Sequence, residues 1–313
     1  NEGFEELQTH EPEPGEREEL EAYYTDVFIP QLEERTGDEY GDSAFIPDSV
    51  AGQHLQSHFT TQNQDFDADY DTLLNDNDAD DGSAYSAATE RYGDYLGRLI
   101  EQADYEDALL LNLDGDIVFS AYKGVELGSN LNTGPYRDTM LAQAYADAIA
   151  TNSVSTVVLT DFERWIPSLN VPTMWVVSPI GNDSRITGAL ALQVSLETIN
   201  DLTTGSEGWK EQGLGDTGEV YLVGLDDLMR SDSRRLIEDP ENYEQLAIDG
   251  GTPPSVAKRI VEVQGTVLLQ PINTRAVAEA QAGRTGTTTG PGYLGIDSVT
   301  AYAPLEVEGL DWV

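Results

Sequence analysis

Three glycines, Gly213, Gly215 and Gly218, stand at G-x-G-x-x-G spacing in the run GLGDTGEVYLVG. That spacing cradles a dinucleotide pyrophosphate when it follows a strand and opens a helix, because the helix N-terminus then aims its N–H groups at the phosphates. Here the order is reversed: polar TTGSEGWKEQ precedes the glycines and a strand-like segment follows. They read as a tight linker, and no cofactor is expected. A second set lies in SAYKGVELGSNLNTGPYRD and TDFERWIPSLNVPTMWVVS, which mix aromatic with polar side chains as small-molecule pockets do. The candidate ligand-binding residues are Tyr122, Tyr136, Arg137, Asp161, Trp165, Trp175 and Ser178. Arg137 can clamp a carboxylate, Asp161 can hold an ammonium group, and Trp165 or Trp175 can stack on a cation. The competing reading has the tryptophans filling the core and the two charged residues pairing with neighbours.

Weaker patterns follow. Arg230, Asp232 and Arg234 in LMRSDSR read first as a turn network bonded to backbone. His54 and His58, four apart, suit one helix face, but neither an H-E-x-x-H frame nor a third ligand accompanies them, so no metal site is expected. NDNDADDG at 75–82 matches a calcium loop only in part and reads as a solvated Asp-rich loop. Asn182-Asp183-Ser184 is a glycosylation triplet on an expected turn. With no nucleophile–base pair or Walker loop in view, the chain reads as non-enzymatic.

Composition narrows the partners. The 313 residues carry 58 acidic and 16 basic side chains, a net charge of −42, and the acid runs through the whole chain. A dispersed negative surface argues against nucleic acid and anionic lipid, which need a basic footprint. Self-repulsion of this size is screened by concentrated salt, where the Debye length falls to about 3 Å at 1 M, so the surface reads as one adapted to extreme salinity. There is no cysteine, hence no disulfide framework. No apolar run of about 20 residues is present. The final APLEVEGLDWV stops inside what reads as a strand, so a longer chain is expected.

The elements that must position these residues are legible in outline. Apolar residues recur at helical spacing over 18–34, with Pro30 expected to bend the helix. This amphipathic helix is a candidate homodimer contact, because parallel pairing would align two signalling outputs. Residues 36–82 are polar, and a helix is expected over about 84–103. DALLLNLDGDIVFSAY reads as a hairpin with an Asp-Gly turn, GPYRDTMLAQAYADAIA as a helix opened by Pro135, and VSTVVLT, PTMWVVSPI and RITGALALQVSL as three strands. The order predicts a five-stranded antiparallel sheet with helices, a PAS-like plan in an α+β chain. The second half repeats it: hairpin in GEVYLVGLDDLMRSDS, helix in NTRAVAEAQAG, then strands.

The segments LNLDGDIVFSAYKGVELGSNLNTGPYRDTMLAQAY, TDFERWIPS, GALALQVSLETIN and GLGDTGEVYLVGLDDLMRSDSR together resemble double-Cache extracellular sensor domains. Such domains occur in membrane-bound adenylate and guanylate cyclases, chemoreceptors and sensor histidine kinases, here in a halophilic archaeal form. YYTDVFIPQLEERTG, HLQSHFTTQN and DGSAYSAATERYGDYL are similar to the helical stalk of the same group. Thr89 and Gly93 stand near places where that group often has histidines. The resemblance implies a helical region at 1–83, a membrane-distal domain at 84–205 that binds a small molecule, and a proximal domain at 206–313. It further implies membrane anchors outside residues 1–313 and an extracellular location. The alternative is a free-standing extracellular solute-binding or cell-surface protein.

Overall fold

The computed structural model describes residues 1–11, 15–41, 43–62, 74, 77–182 and 184–313. They form two compact units, 1–195 and 196–313. In the first unit a short helix α1 (Glu2–Leu7) precedes a longer helical run: α2 (Glu16–Tyr23), a π-helical turn (Tyr24–Phe28) and α3 (Ile29–Thr36). The π turn sits where Pro30 requires it. Proline lacks an N–H and crowds the carbonyl four residues back. The wider turn, closed by Ile29 N–H on the Tyr24 carbonyl, carries the helix past that position. The apolar face of this run, Leu20, Tyr23, Tyr24, Phe28 and Leu32, is buried in the unit's own core.

Helix α4 (Val50–His58) is capped by Ser49, whose hydroxyl accepts the Gly52 N–H. Helix α5 (Ala84–Ala103) begins at its Ser83 cap and ends at Asp104 in the left-handed conformation, at the limits expected from sequence. The hairpin follows as β1 (Tyr105–Leu111) and β2 (Ile117–Ser120). In its turn Asn112 Oδ1 accepts the N–H groups of Asp114 and Asp116, and Gly115 takes φ +91°. Helix α6 (Met140–Ala150) starts five residues later than Pro135 suggests. Thr139 caps it, and the Glu163 carboxylate accepts the N–H groups of Met140 and Leu141, so a distant side chain sets the start.

The strands β3 (Val158–Leu159), β4 (Glu163–Trp165), β5 (Val171–Asn182) and β6 (Arg185–Val194) complete one antiparallel sheet in the order β2-β1-β6-β5-β3, with β4 also on β5. β3 and β4 both pair with β5, at Val176–Val177 and at Val171–Thr173, so they fill one strand position between them. Alternation along β1 splits its side chains between two layers. Leu109 and Leu111 join α2, α3 and α6, whereas Ala108 and Leu110 join Ile100 of α5.

The second unit holds α7 (Leu196–Thr204), α8 (Arg234–Glu238), α9 (Pro240–Asp249), α10 (Pro254–Val263), α11 (Arg275–Gln281) and a two-stranded ladder of β7 (Gly286–Pro291) with β8 (Asp297–Tyr302). The hairpin expected at 218–233 is reduced to an isolated bridge, Val223 with Met229. The Ser231 hydroxyl takes the Leu222 N–H, and Met229 N–H turns to the Gln270 carbonyl, so the ladder cannot extend. Helices α7 to α10 were not anticipated from the sequence. Among the described residues no helix is long and apolar enough to cross a membrane.

Candidate functional site

Three of the seven sequence candidates meet. Tyr136, Trp165 and Trp175 form a column with successive ring centroids 5.2 Å apart, continued by Phe45 against Tyr136. All are buried among Leu109, Leu111 and Val177. The Trp175 indole N–H is buried without a hydrogen-bond partner. The other four lie apart from the column. Tyr122 packs against the Leu74, Ile100 and Phe119 cluster under α5. Arg137 is half-exposed, bonded to the Gly134 carbonyl and 3.4 Å from Asp138. Asp161 accepts the Phe162 N–H, and Ser178 donates to the Thr156 carbonyl. Arg137 thus belongs to the surface, not to a buried clamp.

The polar chemistry at the column comes from residues the sequence reading passed over. Where β2 ends, the chain leaves the sheet through 121–129. Asp107, at the head of β1, holds that exit: it accepts Ser120 Oγ at 2.8 Å and the N–H groups of Ala108 and Ala121 at 2.7 and 2.9 Å. Lys123, buried, donates to the Ala121 carbonyl at 2.9 Å and to Asn77 Oδ1 at 3.3 Å. From α4, Gln56 donates to the carbonyls of Val125 and Leu127, and the Tyr24 hydroxyl donates to Gln56 Oε1. Thr60 Oγ donates to the Lys123 carbonyl.

Inside this frame lies Glu126, 4% exposed. Its Oε1 has no hydrogen-bond partner, nor has the nearby Tyr23 hydroxyl. Burial raises the proton affinity of Glu126 above the ordinary carboxylate range, and the charge of Asp107 raises it further. Burial likewise raises Asp107, against hydrogen bonds that lower it. Burial raises the proton affinities of Tyr24 and Tyr136, and the Glu126 charge adds a smaller rise to each. A buried carboxyl with an unmet oxygen, an orphan phenol and an aromatic wall suits a small guest that donates hydrogen bonds. Local sequence signals were weak: Asp107 and Glu126 are two acids among 58, though Lys123 stands out as one of three lysines.

The second unit resolves the glycine question. Arg234 Nη1 donates to the carbonyls of Gly215 and Gly218 at 3.1 and 2.6 Å, its Nη2 to Glu238, and its guanidinium lies 4.6 Å from the Trp209 ring centre. The loop offers carbonyls to a cation, the opposite polarity to a phosphate cradle. Asp232 accepts from Thr266 and Asn200, and Arg230 pairs with Asp226, so the LMRSDSR residues form the internal network expected of them. The acidic run 75–82 and the triplet Asn182-Asp183-Ser184 lie partly outside the described residues. Thr89 and Gly93 pack on Asn77, whose carbonyl accepts the Thr89 hydroxyl.

No family model matches the chain, and no curated protein does. Solved structures do. The ligand-binding domain of the Pseudomonas fluorescens chemoreceptor CtaA in complex with L-serine is 12% identical, with a TM-score of 0.42, over 95% of each chain. The ligand-binding domain of the Pseudomonas aeruginosa amino acid chemoreceptor PctB with L-arginine is 14% identical, TM-score 0.40, over 83% of this chain and 86% of that one. A Campylobacter jejuni chemoreceptor ligand-binding domain with L-valine is 13% identical, TM-score 0.35, over 72% and 77%.

Proposed function

We propose that the chain is the extracellular ligand-sensing part of a transmembrane signalling receptor, of the chemotaxis, histidine-kinase or cyclase kind, and that a small molecule binds inside the unit 1–195. The observation that carries this reading is the pair of buried, unmet polar groups, Glu126 Oε1 and the Tyr23 hydroxyl, in the unit that also holds the buried Tyr136, Trp165 and Trp175. An unsatisfied buried polar group costs on the order of 1–3 kcal/mol, and a guest that donates to it removes that cost. The guest chemistry is an ammonium, amidine or amide nitrogen facing Glu126, with an apolar part against Trp165 and Trp175. Tyr23 and Tyr24 belong to the N-terminal helical run, so a guest that binds better to one placement of that run shifts its position, which is the form a signal takes. The motif resemblance supports a second sensor domain in the C-terminal half and membrane anchors outside residues 1–313. The net charge supports service in concentrated salt.

The test is a thermal-shift screen in molar KCl against amines, amino acids, organic acids and purines, on the wild type, Glu126→Gln and Trp165→Phe. A ligand at 100 times its Kd stabilises by about 2.7 kcal/mol. The expected hit bears a nitrogen donor, and Glu126→Gln abolishes it. Hits confined to organic acids, hits indifferent to Glu126→Gln, or no hit at all overturn the reading.

A further inference from the structure

The chain has three histidines, and all three gather at one place. The His54 and His58 ring centroids are 4.2 Å apart, and His10 lies 5.4 Å from His54. Glu16, the first residue of α2, comes from 38 positions upstream to meet them. Its Oε1 is 2.7 Å from His54 Nδ1 and 4.0 Å from His58 Nδ1. On the far side of the same ring, Asp81 Oδ2 is 2.9 Å from His54 Nε2. His54 is 1% exposed, Glu16 7% and the Asp81 side chain 8%, so the cluster is not a solvated acidic surface.

The hydrogen bonds allow one assignment in which each ring keeps a nitrogen for an ion, with Nε2 of His54 as the donor to Asp81. His58 Nδ1 is 2.9 Å from the His54 carbonyl, so it carries the hydrogen and donates, leaving Nε2 with its lone pair. His54 Nε2 donates to Asp81, which leaves Nδ1 facing the Glu16 oxygen. Two lone pairs at that distance repel unless a positive charge sits between them, either a proton or a metal ion. One ligand atom each from Glu16, His54 and His58 lies within 4.8 Å of the others, so side-chain rotation has to draw the set in before bonds of about 2.0–2.2 Å from a central ion reach all three. The charges also distinguish the two cations. Two buried carboxylates carry two negative charges; a divalent ion neutralises both, a proton only one.

We propose that Glu16, His54 and His58 form a site for a divalent first-row transition ion of the zinc class. Asp81 orients His54 from outside the coordination shell, the carboxylate–histidine–metal arrangement. Two imidazoles disfavour magnesium and calcium, which take oxygen ligands. His58 is 24% exposed, which leaves a solvent-facing side for a fourth ligand, water or His10. The ion ties α2 to α4, the helix whose Gln56 holds the 121–129 segment, and it is independent of whether a guest binds at Glu126.

The experiment titrates chelator-treated protein with Co²⁺ in molar KCl and excess Mg²⁺, reading the visible d–d absorption, with circular dichroism confirming the fold of each variant. The expected result is one equivalent bound with a nitrogen-ligated spectrum, displaced by Zn²⁺, and a melting temperature that rises with metal. His58→Gln, at the exposed edge, weakens binding at least about tenfold, and Asp81→Asn by about 10- to 100-fold. His54→Gln abolishes the spectrum if it folds. No d–d band, many weak sites displaced by Mg²⁺, or an unchanged affinity in His58→Gln overturns the proposal and leaves a protonated His54 between two carboxylates.

Discussion

Replacing Glu126 by Gln separates a stored electrostatic cost from a packing role. The side chain is 4% exposed, its Oε1 has no partner, and burial followed by the Asp107 charge raises its proton affinity above that of an exposed carboxylate. Each tenfold rise in proton affinity on folding is worth about 1.4 kcal/mol. The rise from 4.5 to about 7, part of it shared with Asp107, therefore places about 1–3 kcal/mol against the folded state once the solvent takes the proton from the unfolded chain. The sign follows from proton counts. In the folded protein Glu126 holds its proton more tightly, so its contribution is fully favourable below the ordinary carboxylate range. It is lost as pH rises through the raised value. Gln is nearly isosteric and neutral at every pH. Glu126→Gln is thus expected to match the wild type near pH 4 and to exceed its stability by about 1–3 kcal/mol at pH 8, in urea unfolding at fixed molar KCl. The difference between the two proteins cancels the bulk repulsion that both share. A difference flat across that range, or a variant weaker at pH 8, refutes the buried, unmet carboxyl.

Three further outcomes are expected. Gly128 has φ +75°, and a Cβ there would lie 2.2 Å from the Gly52 Cα on α4, so Gly128→Ala should cost about 2–5 kcal/mol, strain plus overpacking. Gly37→Ala, with φ +77° but open space around it, should cost only about 1–2 kcal/mol in the same denaturation series. Arg234→Met strips the cation from the carbonyls of Gly215 and Gly218 and from the Trp209 face, and should cost about 2–4 kcal/mol while red-shifting tryptophan emission. Unchanged emission and stability would mean that the loop does not depend on Arg234.

Elements governed by local chemistry were readable. The Ser83 cap, the Asn112–Gly115 turn and the alternation of β1 are decided within a few residues, and helix α5 and the first hairpin lie where the pattern places them. The start of α6 was misread because Glu163, more than twenty residues on, caps it. The hairpin of the second unit was overread because Ser231 and Gln270 divert its backbone bonds. The aromatic half of the site was legible, since Tyr136, Trp165 and Trp175 announce themselves by size. The polar half was not. Asp107 opens a strand with the polar look of a solvent-facing end, and Glu126 sits in a glycine-rich loop. Asp107 is covered by the chain leaving β2, and the segment around Glu126 is held by Gln56 of α4, both of them partners distant in sequence.

Rarity was the signal that remained available. In a chain with 58 acids, an acid carries almost no information about its place, and the two carboxyls of the site are hidden by their own kind. A few of the scarce basic residues and histidines behave in the opposite way, although Lys210 and Lys258 are exposed. The single lysine of the first unit, Lys123, is buried at the exit of β2. Arg230 and Arg234 are buried as the clasps of the second unit. The three histidines meet around Glu16. A surface rich in carboxylate leaves few basic side chains, and those kept inside are held where a buried carbonyl or carboxylate requires a positive partner. For acidic chains of this kind, the buried basic residues and histidines, here Lys123, Arg230, Arg234 and His54, are where a search for sites should begin.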